Sequence, residues 1–357
     1  MTSQAVHFYI GTQGDGPGQG IFHASLDPET GAMQLLGLAA QVRRPTWLEA
    51  VPARGLVFAV SEIGNKGECA GEVFSFAYDS AKVPLTQIGH QSAHGGGTTH
   101  LCIDSTGEAL FTANFGGGQA TRMAIAADGK LGPGTLSAPH AGSGPHPRQN
   151  RPHPHGVTLS PDGMFLLVPD MGNDCICIHA LSPNGFADAP VTEHSLPAGS
   201  GPRLTLFDKG GRWLYLLSEL SAEIFVLEWN GTTGTLRDLA RVALDQPDAE
   251  GGASAAAFVM SGDGRYLYAS NRRSNTVCVF KIDEQTGLPS LVQSIACGGE
   301  RPWGAAISAD QRWLLVANQA SDTVNAFRRS PESGILESVC AAPIHVPAPT
   351  HIAFADG

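Results

Sequence analysis

Short apolar runs recur in pairs along the chain, each pair joined by a polar turn that reads roughly S-x-D-G. The pairs are HLCIDSTGEALFTANF from His100, HGVTLSPDGMFLLVPDM from His155, LTLFDKGGRWLYLLSE from Leu204, AAFVMSGDGRYLYASNR from Ala256 and GAAISADQRWLLVANQ from Gly304. WLEAVPARGLVFAVSE from Trp47 is an earlier member. Asp-Gly and related turns supply the positive φ that a tight hairpin needs, so each pair predicts two antiparallel strands. A further alternating run follows, such as TVCVFKID or TVNAFRRS, often with a turn like EQTG or PESG after it. The unit is therefore four strands, repeated about every 50 residues.

The residue ending each second strand forms one column: Thr12, Glu62, Phe115, Met171, Glu219, Arg272 and Gln319. The chain finishes on HIAFADG, a first strand and turn with no second strand after it, and it begins with HFYIGT, a second strand with no first. Pairing of the terminal strands would close a ring. The expected fold is all-β, a seven-bladed β-propeller of four antiparallel strands per blade, with residues 1–357 forming a single domain. The unit is too long for a β-helix coil, and a β-sandwich gives the terminal half-blade no role. No window shows an apolar period of 3.6.

Composition narrows the functions. The 357 residues are 42% hydrophobic, enough for a large core, and only 15% charged. Lys+Arg 22 against Asp+Glu 33 gives a net charge of −11 with no basic run, so neither nucleic acid nor an anionic membrane is an expected partner. The start has no charged, signal-like segment, and no window approaches the apolar length of a membrane helix. The seven cysteines are odd in number and scattered, which suits reduced thiols and a cytoplasmic location. Gly 44 and Pro 24 fit the many turns of a strand-built chain.

Familiar catalytic signatures are missing: no phosphate-binding G-x-x-x-x-G-K, no H-E-x-x-H, no G-x-S-x-G and no C-x-x-C. GDGPGQG (14–20) has the wrong spacing for a dinucleotide loop and reads as a hairpin connection. Cys175 and Cys177 share a strand face and read as packing residues. HAGSGPHPRQNRPHPHG holds His140, His146, His153 and His155 without a matching carboxylate, and reads as a rim loop rather than a metal site. No metal or cofactor is expected.

In a propeller the first strands line the channel and ligands sit at its mouth, where many blades contribute side chains. Just before the first strand the repeats carry Thr99-His100, His155 and Arg203; the column after the second strand carries Glu62, Glu219 and Arg272. A chain so poor in charge is placing titratable groups at equivalent positions, as acid/base chemistry on an anionic intermediate requires. The plainer alternatives are backbone capping by Glu62 or Glu219, an inter-blade bridge by Arg203 and a satisfied channel histidine at His155.

At these residues the sequence resembles the lactonase family of seven-bladed propellers, which includes bacterial propeller-type 6-phosphogluconolactonases and fungal carboxy-cis,cis-muconate cyclases. The resemblance runs the length of the chain and rests on ANFGGG (113–118), HPHGVTLSPDG (153–163), PDMGND (169–174), GPR (201–203), SEL (218–220), ASNRRSN (269–275) and ANQASD (317–322). It implies His155, Arg203, Glu219 and Arg272 as catalytic residues; His100, Glu62, Asn114 and Gln319 are the expected substrate-binding residues beside them. The chain departs from the family at Leu204, where His is usual, at Arg301-Pro302-Trp303, where a Pro-Arg pair is usual, and at Ser218-Glu219 in place of Asn-Glu. Those losses bear on a phosphorylated substrate.

The function that the resemblance implies is a hydrolase of carbohydrate metabolism. It would open a sugar-acid lactone, with 6-phosphogluconolactone one candidate, by metal-independent acid/base chemistry in which His155 and Glu219 divide the proton transfers. Two alternatives stand beside it: a cycloisomerase interconverting a muconate-type diacid and its lactone, and a non-catalytic propeller that binds a partner. The expected partner is a small lactone or diacid, and the expected state a monomer or weak homodimer.

Overall fold

The computed structural model describes residues 5–14, 16–79, 84–188, 191–244 and 253–355. Its described residues form seven antiparallel sheets, here called blades 1 to 7 in chain order, and one short 3-10 turn at Pro52–Arg54. From first to outermost strand, blade 3 runs Thr98–Ile103, Ala109–Asn114, Gln119–Ala124 and Thr135–Leu136. Blade 4 runs Thr158–Leu159, Phe165–Asp170 and Cys175–Ser182, with a split outer edge at Gly185–Phe186 and Thr192–Ser195. Blade 5 runs Pro202–Phe207, Trp213–Ser218, Glu223–Asn230 and Thr235–Ala243. These three lie in one compact unit, residues 60–75 and 89–243.

A second unit holds residues 1–59, 76–88 and 244–357. It contains blade 6, which begins at Ala255–Met260 and Tyr266–Asn271, and blade 7, which begins at Pro302–Ile307 and Trp313–Asn318. Blade 1 is the terminal composite that the sequence predicts: Pro349–Phe354 is its first strand and Val6–Thr12 its second, with Ile10 opposite Ile352. Phe8, Ile10 and Ile352 enter a core with Trp313, Leu315 and Val324 of blade 7. Blade 2, from Leu48–Val51 to Thr86–Ser92, contributes residues to both units.

The predicted hairpins are the first two strands of each blade. Second strands such as Ala109–Asn114, Trp213–Ser218 and Tyr266–Asn271 are buried on both faces, hence their continuous apolar runs. Blades pack face to face: Leu167, Ile176 and Ile178 of blade 4 meet Leu214, Leu216 and Phe225 of blade 5. Full burial of each such side chain is worth about 1.5–3 kcal/mol.

One register detail differs from the sequence reading. The column residue donates its backbone N–H just outside the first strand, as Glu219 does to the Gly201 carbonyl and Gln319 to that of Arg301. In blade 1 the donor to the equivalent carbonyl, that of Ala348, is Gln13. Gln13 therefore belongs in the column, and Thr12 ends the strand opposite Pro349.

Candidate active site

A bulge recurs where the first strand starts. Pro202 faces Ser218 but Leu204 already faces Leu217, which makes Arg203 the extra residue of the bulge; Thr99 and Trp303 occupy the same position in blades 3 and 7. In blade 4 the Pro154–Asp170 bridge puts His155 there. A bulge breaks the strict alternation of side chains and re-aims the extra residue. His155 and Arg203 are thus the same repeat position in adjacent blades, and Glu219 follows the second strand of Arg203's own blade.

These three converge. Arg203 Nη1 donates to Glu219 Oε2 and lies 2.6 Å from His155 Nε2, which itself is 3.7 Å from Glu219 Oε2. A fourth group, not anticipated from the sequence, completes the cluster: Arg148 Nη1 donates to Glu219 Oε1 at 2.6 Å. The Glu219 side chain is wholly buried and Arg203 is 5% exposed, whereas Arg148 is 49% exposed.

Arginine only donates, so His155 Nε2 accepts from Arg203 and the ring proton sits on Nδ1. That Nδ1 is buried with no hydrogen-bond partner. Burial first, and then the Arg203 charge, hold the His155 pKa well below 6.5 against the opposing pull of Glu219. The imidazole is neutral at neutral pH.

Two aspartates of PDMGND hold the loops that carry these groups. Asp170 Oδ1 accepts the backbone N–H of His153 at 2.7 Å and of Gly172 at 3.0 Å, while Oδ2 pairs with His140 Nδ1 at 2.7 Å. Gly172 has no substitute, because a Cβ there would lie 1.9 Å from the Arg151 carbonyl. Asp174 accepts from Gly201 N at 2.7 Å and Gly199 N at 2.6 Å, fixing the turn that leads into Arg203. Gly201 has φ +64, which glycine adopts at little cost. Asp174 also accepts from Gln149 Nε2 at 2.6 Å, so the neighbour of Arg148 is tied to the same carboxylate.

The segment read as a rim loop is well packed at these points, since His140, Gln149, His153 and His155 are all buried. His153 stacks on Phe115 at 4.2 Å and pairs through Nδ1 with its carbonyl at 2.8 Å. His140, Asp170 and Cys177 bring ligand-type atoms within 4.8 Å of one another. Their geometry is that of a hydrogen-bond chain: His140 Nδ1 is committed to Asp170, and its Nε2 meets His179 Nε2 at 3.0 Å with the rings 16° from parallel.

Other expected site residues have different surroundings. Glu62 accepts from Asn65 Nδ2 at 2.8 Å and Thr99 Oγ1 at 3.4 Å. His100 Nδ1 accepts the Val157 N–H at 3.3 Å, and so links two blades. Asn114, expected to bind substrate, is wholly buried and clamps Thr98 at 2.9 Å and Thr121 at 2.8 Å. Its side chain ties three strands together.

Arg272 and Gln319 belong to the other compact unit. There Arg272 lies over the Trp303 ring at 4.5 Å, with Arg301 at 5.7 Å. Gln319 Nε2 donates to Gln13 Oε1 at 2.9 Å, joining two members of the repeat column.

The family model described as Lactonase, 7-bladed beta-propeller matches residues 7–354. A 6-phosphogluconolactonase of Bacillus subtilis is 29% identical over 297 residues, 82% of each chain. One from Formosa agariphila is 28% identical over 295 residues, 80% of this chain and 81% of that one. Among solved structures, a periplasmic gluconolactonase of Pseudomonas aeruginosa superposes with TM-score 0.89 at 30% identity, covering 98% of this chain and 99% of that one. A match that spans nearly every blade, together with the strand closure at the termini, establishes that the chain belongs to the lactonase family of seven-bladed β-propellers.

Proposed function

We propose that this chain is a lactonase, a carboxylic ester hydrolase that opens sugar-acid lactones, with Glu219 as its proton-transfer group. The observation that carries this reading is one fully buried carboxylate held between two guanidinium groups beside a neutral imidazole. The named activities of the Bacillus and Formosa relatives and of the Pseudomonas structure support the substrate class.

The reaction adds water to the lactone carbonyl and then expels the ring oxygen. Glu219 accepts a proton from the attacking water, and the carbonyl oxygen takes up the negative charge. Arg203, held in place by Glu219 and His155, supplies a fixed donor for that charge, which is stabilisation in a site where water competes little. Collapse of the tetrahedral intermediate breaks the ring C–O bond. The Glu219 carboxyl returns its proton to the leaving alkoxide, so the group ends as it began. His155 positions Arg203 in this scheme and transfers no proton, because its Nε2 lone pair is engaged by Arg203.

None of the seven cysteines is in a disulfide, which supports a cytoplasmic location, and no helix among the described residues is long and apolar enough to cross a membrane. The test is a pH-stat assay over a panel of aldonolactones, with and without a phosphate group. Wild type opens at least one of them; Glu219→Gln loses about 100-fold or more, the scale of a general acid–base group. A Glu219→Gln variant with wild-type rates on every lactone would end this reading.

A further inference from the structure

The two arginines on Glu219 are not equivalent, and the difference has a consequence for the reaction. Arg203 is buried and bridges Glu219 and His155 through one nitrogen. Arg148 is half exposed, and its guanidinium makes two protein contacts: Nη1 to Glu219 Oε1 at 2.6 Å and Nη2 to the Met171 thioether at 3.7 Å. A thioether is a weak acceptor, so the outward N–H groups of Arg148 are available to a ligand. Arg148 and Arg203 are two cations on the Glu219 carboxylate, and Arg148 is the one that reaches solvent.

The backbone beneath Arg148 is fixed. Its N–H donates to His146 Nδ1 at 3.1 Å, and the adjoining Gln149 side chain is wholly buried against the Met171 carbonyl and Asp174. Only the long side chain is left to move. A half-exposed ion pair contributes little to hold it, whereas a bidentate contact with a substrate anion is much stronger.

We propose that Arg148 is a displaceable cap on Glu219: an anionic group on the lactone draws the Arg148 guanidinium away and frees Glu219 Oε1 to accept the proton of the attacking water. The substrate's charge thereby switches on the base as well as binding the substrate. This rests on the reading of Glu219 given above.

The test compares a neutral aldonolactone with its phosphorylated counterpart in wild type and Arg148→Gln. On the phosphorylated lactone, Arg148→Gln lowers kcat/KM by about 10- to 100-fold, as expected for lost charge-assisted bonds. On the neutral lactone it raises kcat by roughly two- to fivefold, the size of a half-exposed ion pair. Inorganic phosphate added in trans raises neutral-lactone turnover of the wild type by a similar factor and leaves Arg148→Gln unaffected. The phosphate experiment on wild type needs no variant to fold. Equal losses on both lactones, or no stimulation of wild type by phosphate at any concentration, overturn the cap. Should wild type open no lactone at all, the reading of Glu219 falls separately. Calorimetric titration of inorganic phosphate into wild type and Arg148→Gln then decides the anion site alone, and equal binding by both overturns it.

Discussion

Removing either arginine from Glu219 deletes one ion pair with the same carboxylate, yet the two deletions differ in cost because the partners differ in burial. Arg203 is 5% exposed and Glu219 wholly buried, so Arg203→Met leaves a desolvated carboxylate with its buried counter-charge gone. Breaking one side of a buried pair costs about 3–5 kcal/mol. Arg148 is 49% exposed, its pair is screened by water, and Arg148→Met costs about 0–1 kcal/mol. The same logic makes Glu219→Gln expensive, because it strands the Arg203 charge in the interior. The double variant Arg203→Met/Glu219→Gln then recovers much of the loss, since neither charge is left alone. Urea unfolding followed by far-ultraviolet circular dichroism measures each variant, provided the slope against denaturant is unchanged. The coupling energy from the Arg203–Glu219 cycle should exceed that from the Arg148–Glu219 cycle by about 2 kcal/mol or more. Equal coupling in the two cycles would show that burial does not set the hierarchy, and the displaceable role of Arg148 would go with it.

Asp170→Ala removes the acceptor of two backbone N–H groups and of His140 at once; at about 1–3 kcal/mol for each unsatisfied group it should abolish stable folding, as thermal scans will show. Asp170→Asn is milder, because His140 can switch tautomer and accept from the new amide; loss of fold in both variants would contradict this. Asp174→Ala frees Gly199, Gly201 and Gln149 together. Its expected result is a fall in kcat larger than the change in KM, since it loosens the approach to Arg203 without touching substrate. His179 is held neutral by burial and by His140, with its pKa pushed down to about 3. In the unfolded chain it protonates near 6.5, so as pH falls from 7.5 to 5 the native state loses about 2 kcal/mol through this group. The stability difference between wild type and His179→Leu should therefore change by about that amount, and a difference independent of pH would refute it. His155 likewise stays neutral below pH 6.5, so its ring carbon resonances should not titrate near that value.

The hairpins were legible because second strands are buried on both faces, which forces unbroken apolar runs such as Trp213–Ser218 between polar turns. Outer strands were less legible. The outermost strand of blade 3 is the two residues Thr135–Leu136, both exposed, and no burial pattern marks them. The terminal composite blade was readable from what each end lacked. Its column residue was misplaced by one because Thr12 and Gln13 are both polar, and only the hydrogen bond to Ala348 separates them.

At the site, repeat position alone singled out His155, Arg203 and Glu219, since each occupies a bulge or a strand end where side chains leave the alternating pattern. Arg148 escaped because it lies in a long connection with no repeat register. Its neighbour Gln149 is the residue that ties that connection down, through Asp174. Asp170 and Asp174 stood in plain view in PDMGND, and a carboxylate closing an apolar strand in a chain of such low charge was a signal. The low charge count and the site share one cause: second strands buried on both faces leave little room for ionisable groups, which fall instead at bulges, strand ends, connections and on the outer strands of the blades. Asn114 shows the limit of that rule. It also ends a second strand, but its amide has Thr98 and Thr121 for partners, whereas Glu219, one residue beyond the strand in its blade, pairs with Arg203 at a bulge and with Arg148 of a connection. Position brings a polar residue to the end of the blade; pairing with strand hydroxyls commits Asn114 to the fold, while pairing with guanidinium groups at a bulge and a connection leaves Glu219 a charged group for the reaction.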